Sequence, residues 1–240
     1  QSFRLLFYNG GATTMPYTRC DLVQQVSPEH LDAALVRGEA AMRMVLLPHG
    51  IAMSPVLPPR DDGARAATRR ELCIDTGRAM LLSVGMLDAT VKRMDALIDA
   101  VAMLREARPH LVMLGERTIE TPALVSRARA KLGDAVTLAT WPRARMGEAY
   151  AAADAFALLS RREGFGLAYL EALAAGLPCV VHDTPTTRFI LGAHGLRGDT
   201  TSGETTAALI RRAIAGAADE TARVERHAAA RRRFSWDVLA

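Results

Sequence analysis

Six short apolar runs recur along the chain, at 44–47, 80–84, 111–114, 135–138, 155–159 and 179–181, each apolar on both faces. A strand that is apolar on both faces must be covered on both, and strands of a buried parallel sheet read this way. Helical periodicity fills the intervals, over about 92–106, 121–132, 145–152 and 166–175. Strand–helix alternation at this spacing predicts an α/β fold built on a doubly wound parallel sheet, Rossmann-like in kind. Two Ala/Arg-rich helical stretches, about 203–217 and 219–233, close the domain. Half of the 240 residues are apolar and 23% are charged, which excludes a disordered chain. No apolar run nears the ~18 residues of a membrane span.

The first fifty residues read differently. Strands are expected near Phe3 to Phe7 and Leu22 to Val26, with a helix from about Pro28 to Arg37. Ser27 has the chemistry of its N-cap, and Pro28 suits its first turn. Four prolines (48, 55, 58 and 59) followed by Asp61, Asp62 and Gly63 mark a linker, and the two acids read there as a solvated loop. Tyr8, Asn9, Gly10 and Gly11 lack the G-K-[ST] of a phosphate loop and read as a turn.

Three cysteines, Cys20, Cys73 and Cys179, lie far apart without a C-x-x-C pair. That pattern argues against a disulfide framework or a zinc site and fits the cytosol. None of the six histidines (30, 49, 110, 182, 194 and 227) has metal spacing, and most read as surface or strand-end residues. His182 follows a strand and is placed to line a cleft. The net charge is +4, yet only Lys92 and Lys131 among the 30 cationic residues are lysines. A mild positive balance fits an anionic ligand or peripheral contact with a membrane, the cytoplasmic face in this reading. Arg231 to Arg233 read as a solvated helix end rather than a nucleic-acid contact.

The richest segment is EGFGLAYLEALAAGLPCVV, from Glu163. It follows a strand and opens a helix. Gly164 and Gly166 let backbone approach a ligand, and the free N–H groups at a helix mouth suit a diphosphate. Gly176 and Pro178 end the helix in the expected order. Glu163 in the loop and Glu171 inside the helix cannot both favour a phosphate. They can bracket one and accept hydroxyls on either side, or Glu171 is a solvated helix residue; physics alone leaves both open.

Glu163 and Glu171 form a Glu-x7-Glu motif, and this segment resembles the signature of retaining GT-B glycosyltransferases of the group 1 (family 4) class. LLSVGMLDATVKRMDALIDAV, LVMLGE, AVTLATWP and YAAADAFALLSRREGFG follow the order of that family's C-terminal donor-binding domain. FSWDVLA resembles its tail, and CDLVQQVSPEHLDAAL with VLLPHGI resembles the end of its N-terminal acceptor domain. The resemblance implies that residues 1–53 are a remnant of the acceptor domain with the start of the linker, and 54–240 the donor-binding domain.

By the same resemblance Glu171 bonds the ribose hydroxyls, and Glu163 the hydroxyls of the donor sugar. The backbone of Gly164, Phe165, Gly166 and Leu167 cradles the diphosphate, and Lys92 pairs with it near Gly85. Glu163 and Lys92 are thus the expected catalytic pair. Met86 stands where the family has a phosphate-binding Arg, and Arg93 is the candidate to compensate. The implied donor is a uridine or guanosine diphosphate sugar, the acceptor a glycan or lipid-linked acceptor, and the reaction transfer of a hexose with retention. No cofactor, metal or nucleic acid is implied, since the helix mouth and Lys92 supply countercharge. The loop after 179–181, with His182, Asp183 and Pro185, departs from the family's Gly-Gly pattern. With some 50 residues ahead of the linker, the chain reads as the donor half of a longer enzyme. The alternative is a non-catalytic nucleotide-sugar-binding module; a GT-B-type epimerase fits the tail and the full motif less well.

Overall fold

The apolar runs become strands of two separate parallel sheets in the computed structural model, which describes residues 4–9, 20–75, 77–105 and 108–239. The first sheet orders β1 (Leu6–Asn9), β2 (Leu22–Gln25) and β3 (Met44–Leu46) side by side. Helix α1 (Pro28–Val36) crosses from β2 to β3, with the Ser27 hydroxyl accepting from the His30 N–H as its cap. The run at 44–47 therefore belongs to this small sheet, not to the large one. Tyr8 and Asn9 lie in β1 rather than in a turn; Phe3, Gly10 and Gly11 fall outside the described residues.

Asp61 and Asp62 are not a loop. Asp61 caps helix α2 (Asp62–Glu71), accepting from the Ala64 N–H at 2.9 Å. The larger sheet then forms from β4 (Met80–Val84), α3 (Met94–Ala102), β5 (His110–Leu114), α4 (Thr121–Leu132) and β6 (Val136–Ala139). The chain continues through α5 (Met146–Ala152), β7 (Ala155–Leu158), α6 (Leu167–Ala174), β8 (Cys179–His182), α7 (Pro185–Leu191) and β9 (Gly195–Gly198). Helices α8 (Gly203–Ala215), α9 (Glu220–Phe234) and α10 (Trp236–Leu239) complete it. Its six parallel strands are ordered β6-β5-β4-β7-β8-β9. Leu81, Leu82, Leu111, Met113, Phe156 and Val180 are fully buried between the helical layers. Each such side chain contributes about 1.5–3 kcal/mol by leaving water.

Asp154 ties α2 to this sheet: its carboxylate meets Arg65 and Arg69 and accepts the Met80 N–H at 2.7 Å. The expectation of surface or strand-end histidines fails for His30 and His227, buried in α1 and α9, while His110 is buried at the first position of β5. Arg233 is not simply solvated either. Its guanidinium stacks over Phe234 and Phe189 and donates to carbonyls near the end of α7. No helix among the described residues is long and apolar enough to cross a membrane.

Candidate functional site

Strand order reverses between β4 and β7, and in open α/β sheets ligands bind beyond the carboxyl ends of the strands at such a point. Two loops flank the crevice: residues 85–93 after β4, and 159–166 after β7. Asp88 shapes the first loop, its Oδ1 accepting the N–H groups of Val91 and Lys92 at 2.8 and 2.7 Å. Glu120 Oε2 accepts those of Ala89 and Thr90, and the Ala89 N–H above all holds the Glu120 carboxyl below its usual range. Gly115 lets this loop approach β5, because a Cβ there would lie 1.7 Å from the Gly85 carbonyl oxygen.

The expected catalytic residues converge, and on each other. Lys92 Nζ donates to Glu163 Oε1 at 2.7 Å, with both side chains largely buried. The Lys92 stem lies over Gly85, whose added Cβ would meet it at 3.2 Å. Gly166 opens α6 at φ 89°, and no side chain caps that end, so the helix mouth is left for a ligand. Phe165 contributes backbone only; its ring is buried against His49 and Phe234, with centroids 5.1 and 6.0 Å away. Met86 is exposed. Arg93 sits at φ 54° at the start of α3, and its guanidinium reaches Thr200 Oγ1 at 3.5 Å. His182 Nδ1 accepts from the Thr200 N–H at 3.2 Å, and burial holds its imidazole below the usual range.

Glu171 stands apart from the Lys92–Glu163 pair, at the junction of two cavities. A cavity of about 970 Å³ runs from Val84, Leu114, Gly115 and Trp141 to Glu171, roofed by the linker around Ile51 to Arg60. A smaller one, about 310 Å³, joins Glu171 to Leu167, His49 and Trp236. Arg143 lines both. Sequence reasoning missed Tyr150, whose Oη donates to Glu171 Oε2 at 2.8 Å. It also missed Asp88, whose place three and four residues before its backbone donors is a readable turn signal, and Glu120, which reaches Ala89 and Thr90 from a different loop. Two ties hold the roof. Ile51 bridges Ser235, and His227 faces the Ala174 carbonyl through Nδ1 (2.6 Å) and the Ser54 carbonyl through Nε2 (3.1 Å). No group of three or more His, Cys, Asp or Glu among the described residues is arranged to hold a metal ion.

A parallel sheet with helices on both faces and its crevice at the switch point defines a Rossmann-like architecture. Solved structures share it. The chain superposes on Anabaena HepE in complex with UDP with a TM-score of 0.82 at 18% identity, covering 98% of this chain and 70% of that one. Sucrose-phosphate synthase from Thermosynechococcus elongatus gives a TM-score of 0.75 at 24% identity, over 92% and 56% of the two chains. Both are GT-B structures, and the match is to the C-terminal half of that fold.

The chain belongs to the glycosyl transferases group 1 family, whose model matches residues 78–216, more than half of its length. It is 30% identical over 215 residues to a D-inositol 3-phosphate glycosyltransferase of Jonesia denitrificans, covering 80% of this chain and 48% of the relative. It is 31% identical over 197 residues to the mannosylfructose-phosphate synthase of Agrobacterium fabrum, covering 76% and 42%. The chain thus spans about half the length, or less, of these relatives.

Proposed function

We propose that this chain is the donor-binding half of a retaining hexosyltransferase that takes a nucleoside diphosphate sugar, UDP- or GDP-linked, and serves a glycan or lipid-linked acceptor. The observation that carries the reading is the position of Glu171. It lies where the cavity of about 970 Å³ meets the one of about 310 Å³, just inside the helix whose open mouth follows Glu163 and Lys92. In this reading the base occupies the larger cavity, and the ribose hydroxyls bond Glu171. The diphosphate lies on the N–H groups after Gly166, and Glu163 contacts the sugar. The bond from the anomeric carbon to the diphosphate breaks, one to an acceptor oxygen forms on the same face, and the acceptor hydroxyl's proton passes to the departing phosphate. Lys92 and the helix mouth stabilise the charge that develops on the departing phosphate. A solved structure of HepE with UDP-glucose, alike in fold, supports a nucleotide-sugar donor. Residues 1–53 are assigned to the acceptor side.

Calorimetry with UDP and GDP tests this, with and without chelator. The chain binds one of them without added metal. Glu171→Ala weakens that binding by roughly 1–3 kcal/mol, the worth of a hydrogen bond to a charged group. Unchanged affinity in that variant would remove Glu171 from the site. The isolated chain binds donor and transfers no sugar, and transfer by it would overturn the division into halves.

A further inference from the structure

We propose that Tyr150 is a positioning residue of the nucleotide site, fixing one carboxylate oxygen of Glu171 so that the other is presented to the ribose hydroxyls. The inference rests on the reading of Glu171 as the ribose ligand and goes one residue beyond it.

The two residues come from different helices, Tyr150 from the last turn of α5 and Glu171 from the middle of α6. Both line the larger cavity. Tyr150 is 5% exposed, and its ring is 6.2 Å from that of Phe156 in the β7 core. A ring held this way aims its hydroxyl from a fixed point, and that hydroxyl donates to Glu171 Oε2 at 2.8 Å. Glu171 is half-buried and too far into α6 to bond its free N–H groups. Oε1 has no protein hydrogen bond among the described residues. A Glu side chain has three rotatable bonds, and the α6 backbone alone does not select a single rotamer. The phenol does so, and it leaves one oxygen in a defined plane for a ligand hydroxyl. Burial first, then the Glu171 charge, hold the phenol well above its usual range. It therefore remains a donor at any working pH and cannot compete as an anion.

The test compares Tyr150→Phe with the wild-type chain in calorimetric titrations. The ligands are whichever of UDP and GDP binds more tightly and its 2′,3′-dideoxy analogue. Tyr150→Phe weakens the ribonucleotide about tenfold, as loss of one hydrogen bond to a charged group does, and leaves the dideoxy analogue within about twofold. In a Glu171→Ala background Tyr150→Phe has no further effect on the ribonucleotide. Equal losses for both nucleotides would make Tyr150 a packing residue, and an unchanged ribonucleotide affinity would end the proposal outright. If the wild-type chain holds neither UDP nor GDP, the nucleotide reading fails and this inference falls with it. That failure is distinguishable, because it shows in the unmutated protein.

Discussion

Lys92 and Glu163, 71 residues apart in the chain, close on each other through a 2.7 Å ion pair across the crevice between β4 and β7. Sequence reasoning gives these residues different tasks, one on phosphate and one on sugar. Their pairing couples the tasks, because a diphosphate must share Lys92 with a carboxylate already bound to it.

Glu163→Gln keeps the shape of that side chain and removes its charge. Free UDP or GDP therefore binds more tightly to this variant, by about 1 kcal/mol, since Lys92 is released to the phosphates. The intact sugar donor gains less or loses affinity, because the carboxylate proposed to meet its hydroxyls is gone. Lys92→Ala weakens both ligands by roughly 1–3 kcal/mol. Calorimetry on the two variants decides the matter. Weaker binding of the bare nucleotide by Glu163→Gln would show that the ion pair does not compete with the ligand.

Gly166 has two reasons to be glycine, and they can be separated. Its φ is +89°, and a Cβ would lie 2.4 Å from the Tyr169 ring, which is fully buried. Gly38, which closes α1, also has positive φ, +87°, but its Cβ would meet nothing within 4 Å. Gly38→Ala is expected to cost about 1–2 kcal/mol, the left-handed strain alone. Gly166→Ala costs more, about 3 kcal/mol or beyond, because a packed ring must move. Urea unfolding of both variants measures the difference. Equal midpoints would mean that the Tyr169 ring gives way freely.

His110 makes stability depend on acid. Its Nε2 lies 2.8 Å from Thr137 Oγ1, and that hydroxyl gives its own hydrogen to the Leu72 carbonyl at 2.9 Å. The imidazole must then donate through Nε2, and its buried Nδ1 has no partner among the described residues. Burial first, then the Arg78 charge, push the imidazole down to about 4. The depressed value means that the unfolded chain binds a proton which the folded chain refuses. The contribution of the neutral ring is complete above pH 6.5 and is lost as the pH falls towards 4, by roughly 3 kcal/mol. Denaturant titrations from pH 7.5 to 4 show this loss in the wild-type chain and not in His110→Gln. Parallel curves for the two chains would show that His110 does not titrate in this range.

Asp154 is the joint between α2 and the sheet. Asp154→Ala leaves Arg65 and Arg69, 14% and 17% exposed, facing each other without their carboxylate, and frees the Met80 N–H. Unfolding free energy falls by roughly 2–4 kcal/mol. Asp154→Asn keeps an acceptor and loses less. A neutral result for Asp154→Ala in thermal melts would mean that α2 is held by packing alone.

The large sheet is legible in the sequence because its strands are buried on both faces, so that MLLSV, HLVML and AFAL announce themselves. β9 escaped because GLRG is a half-exposed edge strand with two glycines. α2 escaped because Asp61, after a run of prolines, resembles loop chemistry, although Asp is also a strong N-cap. α7 carried its own signal, Thr184 and Thr187 closing a capping box around Pro185, hidden in a segment judged by its departure from a motif. At the site, the Gly loop and the two glutamates are local in sequence and could be found. Tyr150 and Glu120 act across helix and loop contacts that no short spacing encodes, whereas Asp88 carried a local turn signal.

The linker that roofs the larger cavity is held at both ends, and this fixes where the molecule can bend. Leu47 donates its N–H to Gln25 and so still belongs to the first sheet. Ile51 donates to Phe234 and accepts from Trp236, and Ser54 is held by His227, so both move with the second. Only residues 48–50 lie between these anchor points. Any pivoting of one sheet against the other has three residues in which to be absorbed, one of them a proline with fixed φ. Gly50 cannot gain a side chain to stiffen the pivot, because a Cβ there would sit 2.7 Å from the Trp236 ring. His49, within this stretch, packs against Phe165 beside the mouth of α6, so turning here reaches that end of the crevice directly.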